Sequence, residues 1–402
     1  MTLRLFSTLG REARPFSTVV PGTVRMYVCG VTPYDVTHLG HAFSYVQFDT
    51  LRRYLLSIGY DVKYVQNVTD IDDDMIMVSK RQGGRPIPEI RDENLALLQH
   101  DLDRLNVLRP SANPFATGHI PQIIETTAKL IEGGFAYEVD GDVFFEVSKF
   151  ERYGALNGVG PEELASRENP ESKREHKKRG PLDFLLWQVT EPGEPSWESP
   201  WGPGRPGWSI ECTAMSVAHL GEQIDIHGGG RDLVYPHHEN EIAQAECVTG
   251  RSPFCGFWMH NGMVQLDGVK MSKSLGNLVL ARDLMKQVEP DHLRLYLLST
   301  HYRADADYRE GALEAVTARF GRLRSAVVAE APALPGPGAE LVRGGFASAM
   351  DDDFNVPLAL ESLDQAATRI LAGSAHDGEQ LALAAALATL GFRFAGAAGP
   401  AA

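Results

Sequence analysis

The segment that most restricts the fold runs from residue 24 to residue 69. Residues 24–30, VRMYVCG, alternate bulky and β-branched side chains and stop at Gly30, the pattern of a buried strand. From Gly40 to Gly59 apolar residues (Val46, Phe48, Leu51, Tyr54 and Leu55) recur at helical spacing, with Gly59 as the stop. Asp61–Thr69, DVKYVQNVT, reads as a strand again. Strand, helix and strand at this spacing make a right-handed βαβ crossover, which predicts an α/β fold with a parallel sheet. Ligands of such a sheet bind at the carboxyl ends of its strands, where Cys29 and the segment Thr69–Asp74 emerge.

Farther along, residues 92–108 and 119–134 carry a helical pattern and Val143–Val147 a short strand. Residues 157–206 are rich in Gly, Pro and charge, which predicts an inserted region with mobile loops. Helix is expected at Trp208–Leu220 and 237–248, strand at Gln223–His227, and a loop at Gly268–Asn277. After about residue 280 the pattern is helical almost throughout, and the alanine-rich end reads as frayed. With 402 residues, 43% of them apolar, the chain can bury a sizeable core in more than one domain. A formal charge of −15 argues against a surface that grips nucleic acid all over. The basic run from Lys173 to Arg179 reads first as a solvated loop. No apolar stretch reaches membrane-spanning length, and no basic segment followed by an apolar one opens the chain. A cytoplasmic protein with no membrane partner is expected.

The 4 cysteines, Cys29, Cys212, Cys247 and Cys255, lie far apart with no CxxC pair. That usage points to metal binding, catalysis or inert burial rather than disulfides. His237 and Glu241, in PHHENEIAQ, are four apart and share one helix face; this is not the HExxH pattern. With Cys29 and Cys212 they would make a tetrahedral zinc site of two thiolates, an imidazole and a carboxylate. Buried cysteines beside a solvated helix face fit the same spacing. Cys247 and Cys255 read as structural. His38-Leu39-Gly40-His41 opens the first predicted helix, where amides and imidazoles attract phosphate and Gly40 lets a flat ligand come close. Two polar loop histidines would look the same. Lys270-Met271-Ser272-Lys273-Ser274 puts two lysines in a loop suited to neutralising a polyphosphate, without the P-loop pattern.

The order of these signals is more telling than any one of them. HLGH after the first strand and KMSKS more than 200 residues later resemble the two signatures of class I aminoacyl-tRNA synthetases. MYVCGVTPYD, YVQNVTDIDDD, GRPGWSIECTAM and DIHGGGRDLVYPHHENEIAQ are similar to the cysteinyl-tRNA synthetase family. They are also similar to its relative, the mycothiol-pathway ligase that joins cysteine to glucosaminyl-inositol. The resemblance covers residues 1–360. It implies a Rossmann-like catalytic domain in two halves (1–115 and 207–280), an inserted region (116–206) and a helical domain (281–402) without a recognisable full anticodon-binding module.

By the same resemblance, Cys29, Cys212, His237 and Glu241 hold one Zn²⁺, which separates cysteine from serine by its preference for a thiolate. Thr69, Trp208 and His227 match positions around the amino acid; Trp208, four residues before Cys212, shares its helix face. His38, Gly40 and His41 would meet ATP, Gly228, Gly229 and Gly230 would let adenosine lie against backbone, and Lys270 and Lys273 would close over pyrophosphate, with Mg²⁺ accompanying ATP. The implied reaction is ATP-dependent formation of cysteinyl-adenylate from L-cysteine by a monomer, then transfer to an acceptor. Glu241 and the HHENE wording favour tRNA(Cys), with the basic run at its acceptor end. The short alanine-rich tail, HYRADADY and TPYDVTHLGHA favour the amino-sugar acceptor. A non-catalytic paralogue that binds only cysteine or a nucleotide is the third reading, and intact HLGH and KMSKS speak against it.

Overall fold

Four strands, Thr23–Val31 (β1), Asp61–Val68 (β2), Ile224–Gly230 (β3) and Cys255–Asn261 (β4), form a wholly parallel sheet in the order β4-β3-β1-β2. The computed structural model describes residues 2–35, 38–167, 174–271, 275–330 and 334–393. Helix α1 (Leu39–Ser57) carries the chain from β1 to β2, as the apolar spacing predicts, and buries Leu39, Phe43, Val46, Leu51 and Leu55. The imidazole of His38 caps it, Nδ1 accepting from the Gly40 N–H at 3.1 Å. The chain leaves β1 toward β2 on one side, and β3 joins β1 on the other. The carboxyl ends of β1 and β3 therefore flank the switch point at which such sheets bind ligands. Met26 pairs with Tyr64 on one side and Ile226 on the other, and Tyr27 stands opposite His227.

Between the halves of this sheet, helix Ile120–Glu132 leads into an antiparallel sheet of Ala136–Val139, Asp142–Phe145, Phe184–Val189 and Gly204–Pro206. The loops expected over 157–206 thus contain two strands. Phe184–Val189 is a mostly apolar run whose first five residues are buried, but surrounding charge and glycine mask it in the sequence. Its partners lie about forty residues upstream and fifteen downstream along the chain. The expected helix at 92–108 lies at Ile87–Arg104, because Pro86 and Pro88 start it earlier.

The C-terminal part is helical, with helices Pro290–Leu298, Ala312–Val328, Gly338–Asp351, Val356–Leu371 and Glu379–Thr389. One strand interrupts it: Ala306–Tyr308 pairs with Val264–Leu266, which also pairs with Val269–Lys270. Arg294 fastens these helices to the sheet domain. It is fully buried and donates to Asp49 Oδ2 (2.5 Å), Thr50 Oγ1 (3.0 Å), Leu390 O (2.7 Å) and Leu105 O (2.7 Å). Four acceptors from three segments converge on one guanidinium, whose fixed fork a lysine cannot reproduce. Arg294→Met should lower unfolding free energy by about 3–5 kcal/mol, the usual loss when one partner of a buried ion pair is removed. Arg294→Lys should recover little of it, and urea denaturation measures both.

Candidate active site

The carboxyl ends of β1 and β3 meet two helices, α2 (Trp208–Leu220) and α3 (Glu239–Thr249), around a buried polar cluster. Cys29 comes from the end of β1 and Cys212 from the first turns of α2, on the face that Trp208 begins. His237 and His238 sit in a distorted turn (234–238) that runs into α3, and Glu241 follows on the first turn. The Sγ atoms of Cys29 and Cys212 are 3.9 Å apart. Glu241 Oε1 lies 3.7 Å from Cys29 Sγ and 3.2 Å from His237 Nε2. Sulfurs bound to one tetrahedral zinc at the usual bond length are roughly 3.8 Å apart. The spacing and the mixture of thiols, imidazole and carboxylate therefore suit a thiophilic divalent ion, with Cys29, Cys212, His237 and Glu241 as the donors.

A second set, Cys29, His227, His238 and Glu241, overlaps the first. His227 Nε2 is 2.9 Å from Glu241 Oε2, and His238 Nε2 is 3.2 Å from Cys29 Sγ. His238 Nδ1 is 2.7 Å from His260 Nε2, whose Nδ1 is 2.7 Å from Thr8 Oγ1. This set has a single thiol, so the two-thiol set is the better match to a soft cation. Burial pushes His227 and His260 down to about 3 and His238 well below its usual value, so these rings are neutral. Burial, then the hydrogen bond with Cys212, pushes the Cys29 thiol up. That same hydrogen bond pulls Cys212 down to about 6. Burial, then Cys212, holds the neighbouring Glu211 carboxyl high; neither of its oxygens has a hydrogen-bond partner among the described residues.

Over the cluster lies a cleft of about 330 Å³ whose walls join both kinds of candidate residue. Cys29, Gly30 and Trp208 line one part, and His38, Gly40 and His41 another. The His38 and His41 rings stack 3.9 Å apart at the start of α1, and Trp208 packs on the His237 ring at 4.2 Å. The cleft takes in Gly230, whereas a Cβ on Gly228 would stand 2.4 Å from the Phe48 ring and one on Gly229 2.9 Å from the His238 ring. Those two glycines make room for α1 and for the histidine. Thr69 and His227 are buried behind the cleft wall, His227 stacked on Trp258 at 4.3 Å. Lys270 is exposed on its short strand, and Lys273 lies outside the described residues. Backbone contacts still tie the two motif regions: the Leu39 N–H donates to Val279 O at 2.8 Å, and His38 bridges Leu280.

The basic run is largely spent on neighbouring acids. Lys177 bonds Asp142 at 2.7 Å, Lys178 bonds Glu175 at 3.2 Å, and Arg179 bonds Glu146 at 3.1 Å. Lys173 lies outside the described residues. Sequence reasoning missed His238, His260, Asp232 and Asn261, the last two of which line the cleft. The histidine doublet in PHHENE was the available signal for His238; His260 has none, since it reads as one more residue of a buried strand.

Residues 15–318 match the family described as tRNA synthetases class I (C) catalytic domain. The Cysteine--tRNA ligase of Thioalkalivibrio sulfidiphilus is 46% identical over 362 residues, which cover 90% of this chain and 78% of that one. The Cysteine--tRNA ligase of Moorella thermoacetica is 48% identical over 385 residues, 91% of this chain and 80% of its own. Among solved structures, Mycobacterium tuberculosis methionyl-tRNA synthetase bound by methionyl-adenylate superposes with a TM-score of 0.67 at 16% identity, over 91% of this chain and 89% of that one. That likeness is one of fold. The family match makes residues 15–318 the catalytic domain of a class I aminoacyl-tRNA synthetase, and the parallel sheet has the fold of one. The chain belongs, within that class, to the cysteine--tRNA ligase family.

Proposed function

We propose that this chain activates L-cysteine with ATP and transfers the cysteinyl group to tRNA. The observation that carries the reading is one cleft lined by Cys29 together with His38, Gly40 and His41. Amino-acid selection and phosphate chemistry then share a single space. Cys29, Cys212, His237 and Glu241 would hold zinc, which supplies a bond to the substrate sulfur that serine cannot make. Residues 1–115 and 207–280 form the catalytic domain in this reading, with 116–206 inserted and 281–402 appended.

A cysteine carboxylate oxygen attacks the α-phosphorus of ATP, and the bond to the bridging oxygen of pyrophosphate breaks. The chain's part is placement and charge: the N-terminal amides of α1 with His38 and His41 face the phosphates, and Lys270 with Lys273 neutralises the leaving pyrophosphate. A ribose hydroxyl of the tRNA terminus then attacks the mixed anhydride, and AMP leaves. Retention of Glu241 supports tRNA over the amino-sugar acceptor. The intramolecular pairing of Lys177, Lys178 and Arg179 leaves the basic run little free charge for that tRNA.

Cysteine-dependent ATP–pyrophosphate exchange should be present, and labelled cysteine should pass to purified tRNA. Label appearing only on glucosaminyl-inositol overturns the choice of acceptor. Lys270→Ala should slow exchange about 10²–10³-fold, in line with loss of one charge-stabilising group, while bound zinc stays unchanged. Cys29→Ser should lose zinc and raise the KM for cysteine, whereas Cys255→Ser should keep both at wild-type values. Elemental analysis of the purified variants reads the metal, and unchanged zinc in Cys29→Ser contradicts the ligand assignment.

A further inference from the structure

Cys29 owes its position to an irregularity in the sheet. Along β1 and β2 the pairing runs in register to Val28 and Gln66, then resumes at Val31 and Val68. Two residues of β1, Cys29 and Gly30, therefore stand opposite the single residue Asn67 of β2. This is a β-bulge, the device by which a strand re-aims one side chain. It turns the Cys29 sulfur to within 3.9 Å of Cys212 and 3.7 Å of Glu241. The strands are pressed together here: a Cβ on Gly30 would lie 1.6 Å from the Asn67 carbonyl oxygen.

A bulge leaves a backbone N–H without its ladder partner. Here the Asn67 side chain replaces it, Oδ1 accepting from the Gly30 N–H at 2.8 Å. Only the amide oxygen can do this, so the amide nitrogen must point the other way. There Nδ2 donates to Thr69 Oγ1 at 3.2 Å. The regular ladder restarts with the Thr69 N–H on Val31 O at 3.0 Å. Asn67 is almost fully buried, at 1% exposure, and both ends of its amide are held.

We propose that Asn67 is a positioning residue that locks the bulge delivering Cys29 to the metal cluster. It touches neither metal nor substrate; it acts through Gly30 on the Cys29 sulfur. The proposal rests on the metal-holding reading of that cluster and gives the Asn of NVTD a task that strand propensity does not, since Asn disfavours strands.

The test is zinc affinity by competition with a chromophoric chelator, which needs no turnover. Asn67→Ala should weaken zinc binding about 10- to 100-fold, the usual effect of removing a group that orients a ligand. Asn67→Asp, which keeps an oxygen for the Gly30 N–H, should stay within about threefold of wild type. Thr69→Val frees the amide to turn over and should fall between them, with Thr69→Ser restoring it. In exchange assays the KM for cysteine should rise in Asn67→Ala while the KM for ATP holds. A folded Asn67→Ala with wild-type zinc affinity overturns the proposal, as does Asn67→Asp no better than Ala. If Asn67→Ala does not fold, the Asp variant decides alone: zinc affinity reduced tenfold or more refutes it. Wild-type protein that binds zinc but lacks cysteine-dependent exchange refutes the functional reading instead, and leaves the affinity comparison intact.

Discussion

The pairing of β1 with β3 is the contact on which the site depends. Met26, Tyr27 and Val28 stand beside Ile226, His227 and Gly228, across some two hundred residues of intervening chain. That contact closes the parallel sheet around the intervening antiparallel one and sets the strand order that opens a crevice at the carboxyl ends. The thiols, imidazoles and carboxylate of the buried cluster come from those ends or from the helices behind them. Closing so long a span costs entropy that grows only slowly with length, so the intervening chain is compatible with a stable sheet.

The buried cluster is the costly part of the molecule. Two thiols, three imidazoles and the Glu241 carboxylate lie out of water at the end of β1. Neutral histidines and the high pKa of Cys29 lower that cost by keeping charge out of the interior. Glu211 follows the same course, its pKa pushed up by burial and then by Cys212. What remains, one low-pKa thiol next to a carboxylate, is an arrangement that a bound divalent cation stabilises by charge and by directed bonds. The same donors, without a cation, would be better replaced by apolar residues.

Much of this was legible in the sequence because the elements around the site are locally determined. The first strand, the helix that follows it and the Trp208–Leu220 helix follow from apolar spacing and lie where that spacing puts them, except that the strand runs through Gly30 to Val31. The four donors were legible as types, but their convergence was not, since no local rule brings Cys212 to Cys29. Phe184–Val189 and Ala306–Tyr308 escaped because their strand character comes from distant partners. The glycines at 228 and 229 look like open backbone in the sequence. Phe48 and His238 fill that space from elements fixed elsewhere in the chain. Asn67 reads as a poor strand former until the bulge opposite it is seen.

The two signature regions are coupled more tightly than their sequence separation implies. The Leu39 N–H to Val279 O bond and the His38–Leu280 bridge pin the far side of the Lys270 loop to the start of α1. On the near side, Val264–Leu266 is fixed by its parallel pairing to Ala306–Tyr308. Between these anchors, Gly268 and Gly276 adopt left-handed backbone (φ +75° and +64°), and the Asn277 amide spans the base of the loop to Lys270 O at 3.1 Å. Lys270 itself pairs with Gln265, so its place relative to His38 follows from backbone pairing rather than from side-chain contacts. The lysine and histidine motifs thus share one backbone framework at the start of α1, beside the β1 bulge that carries Cys29.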